Sequence, residues 1–387
     1  MTTTFNSSAA KAVYIHIPFC KHKCYYCDFN TYALPVPPID EYLEALEKEL
    51  QATVEKFPPE QIETIFVGGG TPTILEPQQM KAFLQLVNRY FPNQHEQLEF
   101  TMEANPGTTD VDKLMVMKAG GVNRISFGVQ SFQNDILKDI GRIHDNSEVY
   151  ESIRNAKKIG FDNLSIDLMF GLPNQTLENM EESLKQALSL DLQHYSIYSL
   201  KVEENTVFHS LYQKDKLPLP AEEEELNMFL LIMNRLDEAG YQQYEISNFA
   251  RAGLESKHNK MYWNNQSYYG IGAGAHSYLQ GTRYINVKGV QDYLHAVNQG
   301  LPISEEHRVS QKEAMEDFMM VGLRLMEGVN KEDFSQQFSQ SMDQIFNKQL
   351  NKLINHQLLE STESGFKLTK KGILLGNEVF AEFISSL

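Results

Sequence analysis

Six times between Val13 and about Ala250, a short apolar, β-rich run is followed by an amphipathic stretch with helical spacing. The runs fall at 13–19, 64–69, 98–104, 124–130, 163–169 and 194–200. Helical patterns follow at 40–55, 77–90, 110–119, 146–159 and 176–190, with 222–239 after the sixth run. Strands that alternate with helices pair in parallel through right-handed crossovers. The alternation therefore predicts an α/β protein, a partial (β/α)6 barrel of the TIM type; a doubly wound open sheet satisfies the same pattern. Asp40 and Ser147 read as N-caps, and Gly120 and Gly160 as C-terminal stops.

Polar groups at the strand ends favour the barrel. Gly68-Gly69-Gly70-Thr71 ends the second strand, Glu103-Ala104-Asn105-Pro106 the third and Gln130-Ser131 the fourth. Asp167 lies late in the fifth, and Lys201 follows the sixth. Apolar runs that repeatedly acquire polar groups at their carboxyl ends match the site-bearing face of a β/α barrel.

From about Pro302 the pattern changes. Helical stretches at 311–326, 331–338 and 342–357 precede Leu358-Leu359-Glu360, a turn at Ser364-Gly365, Phe366-Lys367-Leu368-Thr369 and a last helix from Lys370 to Ile384. Helices followed by a short hairpin resemble a winged-helix module. The expected division is a tail over 1–12, the barrel over 13–250, an extension over 251–305 and the winged-helix-like domain over 306–387. Residues 310–387 carry 11 acidic and 8 basic side chains, and the whole chain has a formal charge of −17. Both disfavour nucleic acid as a partner, since phosphate binding needs clustered Lys and Arg. Glu222-Glu223-Glu224-Glu225 suits the positive end of a helix dipole and is given no function. No apolar run approaches the ~20 residues of a membrane-spanning helix, and the opening Met1-Thr2-Thr3-Thr4-Phe5 does not read as a secretion signal. The expected compartment is the cytoplasm.

All three cysteines of the chain lie in one window, Cys20-Lys-His-Lys-Cys24-Tyr-Tyr-Cys27, directly after the first strand. They cannot staple distant parts of the fold. The spacing C-x3-C-x2-C offers three soft ligands, one fewer than a closed tetrahedral site needs, and both iron–sulfur clusters and zinc favour thiolates. A zinc knuckle would take His16 or His22 as a fourth ligand.

With an aromatic residue before the last cysteine, this window resembles the signature of the radical S-adenosylmethionine (SAM) superfamily. That resemblance implies a [4Fe–4S] cluster on Cys20, Cys24 and Cys27, with SAM chelating the fourth iron. The flanking Ile15-His16-Ile17-Pro18-Phe19 and Asp28-Phe29-Asn30 resemble the branch related to oxygen-independent coproporphyrinogen III dehydrogenase, and within it a heme-chaperone family. The likeness runs essentially the full length of the chain, including Leu368-Thr369-Lys370-Lys371-Gly372. It implies that Gly69, Gly70 and Thr71 approach the methionyl part of SAM, where a bare backbone comes close to a ligand. It implies further SAM contacts at Glu103, Gln130, Arg142 and Asp167, Tyr14 near the cluster, Tyr26 near the adenine, and Ala275 at the pocket border. Arg142 also has Asp139 and Asp145 as candidate ion-pair partners. The Gly-rich Gly270-Ile271-Gly272-Ala273-Gly274-Ala275-His276 is not G-x-G-x-x-G and reads as a tight turn.

Two departures separate chaperone from dehydrogenase. The dehydrogenase has a further cysteine two positions after its third ligand, where this chain has Phe29, and it has a longer segment before the first strand. His258-Asn259-Lys260-Met261-Tyr262-Trp263 matches the chaperones' H-N-x-x-Y-W motif, which implies heme contacts at His258, Asn259, Tyr262 and Trp263. Imidazole ligates heme iron and aromatic faces pack on the macrocycle; a histidine beside a tryptophan also serves structurally. The expected function is capture of heme and its transfer to an acceptor protein. The alternatives are radical oxidation of coproporphyrinogen III to protoporphyrinogen IX and a zinc-bound adaptor. Enzymatic SAM cleavage stays open, because the residues it needs are matched. The resemblance also implies a cluster-promoted homodimer and peripheral contact with membrane heme proteins.

Overall fold

Six strands, β1 (Ala12–Ile17), β2 (Ile62–Gly69), β3 (Gln94–Ala104), β4 (Arg124–Gln130), β5 (Asn163–Phe170) and β6 (His194–Ser199), pair in parallel in that order. A doubly wound sheet would reverse its strand order at a switch point. Sequential order sends every crossover the same way, so the helices share one face and the sheet curls as a barrel does. The computed structural model describes residues 9–384. The expected tail over 1–12 lies mostly outside the described residues.

The strands are apolar because both faces are covered: Val13, Ile15, Ile65, Val67, Phe100, Ile125, Phe127, Leu164 and Ile166 are fully buried. Burying side chains of this size contributes about 1.5–3 kcal/mol each. The crossovers are α1 (Ile39–Lys56), α2 (Pro77–Tyr90), α3 (Val111–Ala119), a pair α4 (Asn134–Asp139) and α5 (Asn146–Ile159), then α6 (Leu177–Ser189). After β6 come α7 (Val207–Tyr212) and α8 (Glu222–Glu238). The cap of α5 is Asp145, in a capping box with Glu148, and Ser147 lies inside the first turn. Asp40 likewise sits in the first turn of α1, whose cap is Pro38. Gly120 and Gly160 do end their helices, Gly160 with φ of 90°.

The barrel does not close. β6 pairs antiparallel with β8 (Asn248–Ala250), which pairs with β7 (Gln242–Glu245). On the other side, after α9 (Lys257–Trp263), β9 (Tyr268–Ile271) adds to β1 in parallel. The antiparallel strands β10 (His276–Leu279), β11 (Thr282–Asn286) and β12 (Ile303–Arg308) continue outward, giving twelve strands in one sheet.

The C-terminal region has its own core around Met319, Phe334, Phe346 and Phe383. Its strands β13 (Val329–Asn330), β14 (Leu359–Ser361) and β15 (Gly365–Leu368) form a separate antiparallel sheet in the order β13-β15-β14. Two helices expected as continuous are broken. The stretch 342–357 splits at Phe346, whose buried ring meets Phe334 and Phe383 while its backbone leaves helical geometry at φ −106°, ψ 23°. The last helix divides at Leu375 into Lys370–Leu374 and Gly376–Ala381.

Candidate functional site

The cysteine loop is tied at both ends. Cys20 N–H donates to Tyr32 O at 3.1 Å and Tyr32 N–H to Pro18 O at 2.7 Å, closing its base beside β1. Midway, Tyr25 N–H donates to Ile140 O and Phe208 N–H to Tyr25 O. Tyr25 and Tyr26 pack there against a small apolar cluster that includes Ile136, Ile140, Met169 and Phe208. The two tyrosines between Cys24 and Cys27 thus serve as anchors for the loop.

The three thiols are half-buried and line one cavity of about 460 Å³ at the carboxyl ends of the parallel strands. The Thr71 hydroxyl donates to Cys20 Sγ at 3.6 Å, Arg142 Nη1 donates to Cys24 Sγ at 3.5 Å, and Thr31 Oγ1 lies 3.8 Å from Cys27 Sγ. Burial pushes Cys20 up to about 11, against the Thr71 hydrogen bond, and also raises Cys27. These two thiols hold their protons at neutral pH until a metal displaces them. Among the described residues, no three His, Cys, Asp or Glu side chains converge as ligands to one ion would. His16 is occupied elsewhere: its Nδ1 lies 2.8 Å from the Tyr14 hydroxyl and its Nε2 2.9 Å from Asn30 O. His22 does line the thiol cavity. Three sulfurs spread around a roomy cavity suit a multi-iron cluster better than a single zinc ion, whose four bonds of ~2.0–2.3 Å demand convergence.

Asn105 links the site's polar groups. Its Nδ2 donates to Thr71 Oγ1 at 2.8 Å, and its Oδ1 accepts from Arg142 Nη2 at 2.6 Å. Arg142 also donates to Gly128 O, so Arg142 turns inward to the thiols and away from Asp139 and Asp145. Its buried Nε has no partner, a donor left for a ligand in the cavity. A bulge between Gly128 and Gln130, with Gln130 at φ 66°, brings Gln130 to the same wall. Bulges commonly re-aim side chains beside sites in this way.

Two carboxyls stand in the floor. Glu103 accepts from Gly69 N–H at 3.0 Å, and Asp167 accepts from the Ser126 hydroxyl at 3.0 Å. Burial and then the charge of Asp167 push Glu103 up to about 8; burial also raises Asp167. No Lys, Arg or His lies within salt-bridge distance of either among the described residues. Paired buried carboxyls of this kind favour a cationic guest. SAM carries a sulfonium and an ammonium, so the donor set fits it beside the thiols. Tyr26, Gly69, Gly70 and Thr71 line the same cavity. Gly70 is glycine for a packing reason, since a Cβ there would stand 2.6 Å from Phe19 O and 2.9 Å from Ile17 O.

A second chamber, about 630 Å³, shares Gly69 and Glu103 with the first and reaches Tyr14, Ala275 and Tyr262. Of the four expected heme residues, His258 and Tyr262 are in contact, whereas Asn259 and Trp263 engage other partners. His258 is buried, with Nδ1 2.9 Å from Thr64 Oγ1, Nε2 2.9 Å from the Tyr262 hydroxyl and its ring stacked on Phe66. Burial lowers it to about 3, keeping it neutral. Trp263 lies under the Arg324 guanidinium, 4.4 Å from its ring centre, and its buried Nε1 has no hydrogen-bond partner. Asn259 caps back to Ser256 through its N–H. Only Tyr262 of the four borders a chamber. Sequence reasoning did not single out Asn105 or Thr31 as site residues; the position of Asn105 just past β3 was the available signal.

A sequentially ordered parallel sheet with C-x3-C-x2-C after its first strand and a cavity at the strand ends defines a radical SAM protein. The model of the radical SAM superfamily matches residues 14–187, and that of the HemN C-terminal domain matches residues 309–375. The chain is similar to "Heme chaperone HemW" of Bacillus subtilis, 48% identical over 97% of this chain and 100% of the relative. It is 43% identical to "Heme chaperone HemW" of Lactococcus lactis, over 96% of this chain and 97% of the relative. The solved structure of coproporphyrinogen III oxidase (HemN) from Escherichia coli superposes with a TM-score of 0.87 at 24% identity, covering 99% of this chain and 92% of that one. The chain belongs to the HemW family of radical SAM proteins.

Proposed function

We propose that this chain is a heme chaperone, which binds heme and passes it to an acceptor protein. The observation that carries the reading is the near-full-length similarity to two proteins named heme chaperones, at 48% and 43% identity. The thiol replaced by Phe29 agrees with it; Phe29 is 63% exposed and offers apolar surface where the dehydrogenase branch has sulfur.

In this reading Cys20, Cys24 and Cys27 hold a [4Fe–4S] cluster. SAM lies between Gly69–Thr71, Glu103, Gln130, Arg142 and Asp167, with Tyr14, Tyr26 and Ala275 around it. The cluster with SAM bound supplies one-electron chemistry. The chain's own residues set the conditions: Thr71 and Arg142 donate to the ligand sulfurs, and the raised carboxyls of Glu103 and Asp167 give up a proton more readily when a cationic guest lies beside them. The motif from His258 to Trp263 supports heme capture through Tyr262. No helix among the described residues is long and apolar enough to cross a membrane. We place the protein in the cytoplasm, meeting its acceptor at a surface, with cluster-dependent dimerisation.

Anaerobic reconstitution with iron and sulfide, followed by heme titration, tests the reading. Retention of heme and its transfer to an apo-acceptor support it. Turnover of coproporphyrinogen III with reductant and SAM, without heme retention, would establish the dehydrogenase instead.

A further inference from the structure

The run Glu222-Glu223-Glu224-Glu225 opens α8 beside a groove of about 430 Å³ that the site does not use. Alternation along β5 and β6 separates this groove from the thiol cavity. Met169 and Tyr198 line the cavity, while their neighbours Phe170, Ile197 and Ser199 line the groove on the other face of the strands. The floor is apolar. Phe170 and Phe229 stack in parallel with ring centres 5.6 Å apart. Across from them the last helix breaks at Leu375, and Ile373, Leu374 and Leu375 line the groove half-buried. Leu226 is 41% exposed, and Leu230, one turn further along α8, is 37% exposed. The apolar strip therefore extends along α8 beyond the groove itself.

The walls carry one sign of charge. Glu222, Glu225, Leu226 and Phe229 share one face of α8, so two of the four glutamates turn to the groove. Glu378 stands on the opposite wall. Glu225 accepts from the Ser199 hydroxyl, and Glu222 and Glu378 are exposed. Among the described residues none of the three has a basic partner at salt-bridge distance, and no Lys, Arg or His lines the groove. Arg324 reaches the ring of Phe380 in the wall, 5.4 Å from its centre, but stacks on Trp263 and faces Glu245. The dipole of α8 accounts for acidic residues in its first turn. It does not account for an apolar floor left open beneath them.

An apolar strip between walls of carboxylates fits an elongated guest, apolar on one side and cationic at its flanks. An amphipathic helix laid in a groove has that form. Anionic lipid and nucleic acid are repelled by the same carboxylates, and a second copy seated patch to patch would set them against each other. We propose that this groove docks a partner protein through a basic amphipathic helix. The proposal goes beyond the chaperone reading and does not depend on it. Because groove and thiol cavity share the ends of β5 and β6, the partner is held against the cavity wall.

The test uses the full-length, anaerobically reconstituted protein and a fluorescein-labelled peptide of leucine and lysine, apolar on one helical face and cationic on the other. Fluorescence anisotropy reads affinity, and hydrogen exchange maps the contact. Wild type should bind this peptide, with protection over 222–230 and 373–380, and should bind the counterpart with glutamate for lysine about tenfold more weakly or worse. Leu226→Lys and, separately, Glu222→Lys with Glu378→Lys should each weaken binding about tenfold, with cluster iron and far-ultraviolet dichroism unchanged. All three positions are exposed, so the fold tolerates the changes. Glu41→Lys with Glu44→Lys makes the same charge change at exposed positions of α1 and should leave affinity within about twofold of wild type. No binding by wild type, equal affinity in the groove variants, equal weakening by the α1 pair, or protection confined to other segments would overturn the proposal. So would self-association of the chain that Leu226→Lys abolishes, which gives the groove to a second copy, or vesicle binding that it abolishes, which gives the groove to a membrane.

Discussion

The Nε2 of His258 and the hydroxyl of Tyr262 lie 2.9 Å apart across one turn of α9, with the rings edge to face at 4.8 Å between centres. The imidazole bridges Thr64 in the barrel wall to a tyrosine that borders the second chamber. Its role in this conformation is to aim Tyr262.

His258→Ala removes both bridges and the stack on Phe66 from a fully packed position. A loss of about 2–4 kcal/mol in unfolding free energy is expected, as for a buried truncation that also strands a polar partner. Urea denaturation measures it; a change below about 0.5 kcal/mol would show that the bridge bears no load.

Thr71→Val deletes the hydroxyl that donates to Cys20 Sγ and accepts from Asn105. Hydrogen bonds to ligand sulfurs favour the reduced, more negative cluster. The reduction potential of the reconstituted cluster should therefore fall, with iron content near wild type. A potentiometric titration showing no change, or a rise, would refute this.

Gly70→Ala places a methyl group 2.6 Å from Phe19 O, a backbone atom that cannot swing aside. The strand end and the start of the cysteine loop must separate. Iron and sulfide uptake should fall well below wild type while far-ultraviolet dichroism is retained. Full loading would show that the two segments are free to part.

Glu49 is buried in α1 and accepts from Gly272 N–H, Asn286 Nδ2 and the Tyr293 hydroxyl. Burial pushes its carboxyl up to about 7, against those hydrogen bonds. The folded state therefore holds this proton more tightly than the unfolded chain does. The stabilising contribution is complete below the ordinary value of 4.5 and is lost as pH rises through about 7. The loss amounts to about 3 kcal/mol across that window. Glu49→Gln should flatten the stability profile between those pH values. An unchanged slope in the variant would assign the dependence to other groups.

The six parallel strands were legible because burial on both faces leaves short, mostly apolar runs such as Val13–Phe19, broken there only by His16. The outer strands were not. β12 reads Ile-Ser-Glu-Glu-His-Arg and is exposed over its last five residues, so no hydrophobic period marks it. The cysteine loop and the polar strand ends could be placed because short spacing and strand order position them. His258 shows where that reasoning stops. Its partners Thr64 and Phe66 lie almost two hundred residues earlier, and only folding reveals that its nitrogens are already engaged.

The measurement that bears most directly on the proposed function is heme transfer from the loaded protein. Anaerobically reconstituted protein carrying stoichiometric heme is mixed with an apo-hemoprotein acceptor, and holo-acceptor formation is followed in parallel with assays for 5′-deoxyadenosine and protoporphyrinogen IX. Heme chaperoning predicts transfer that depends on the chain, with no decarboxylation of coproporphyrinogen III. Robust conversion of coproporphyrinogen III with no heme delivered would contradict it.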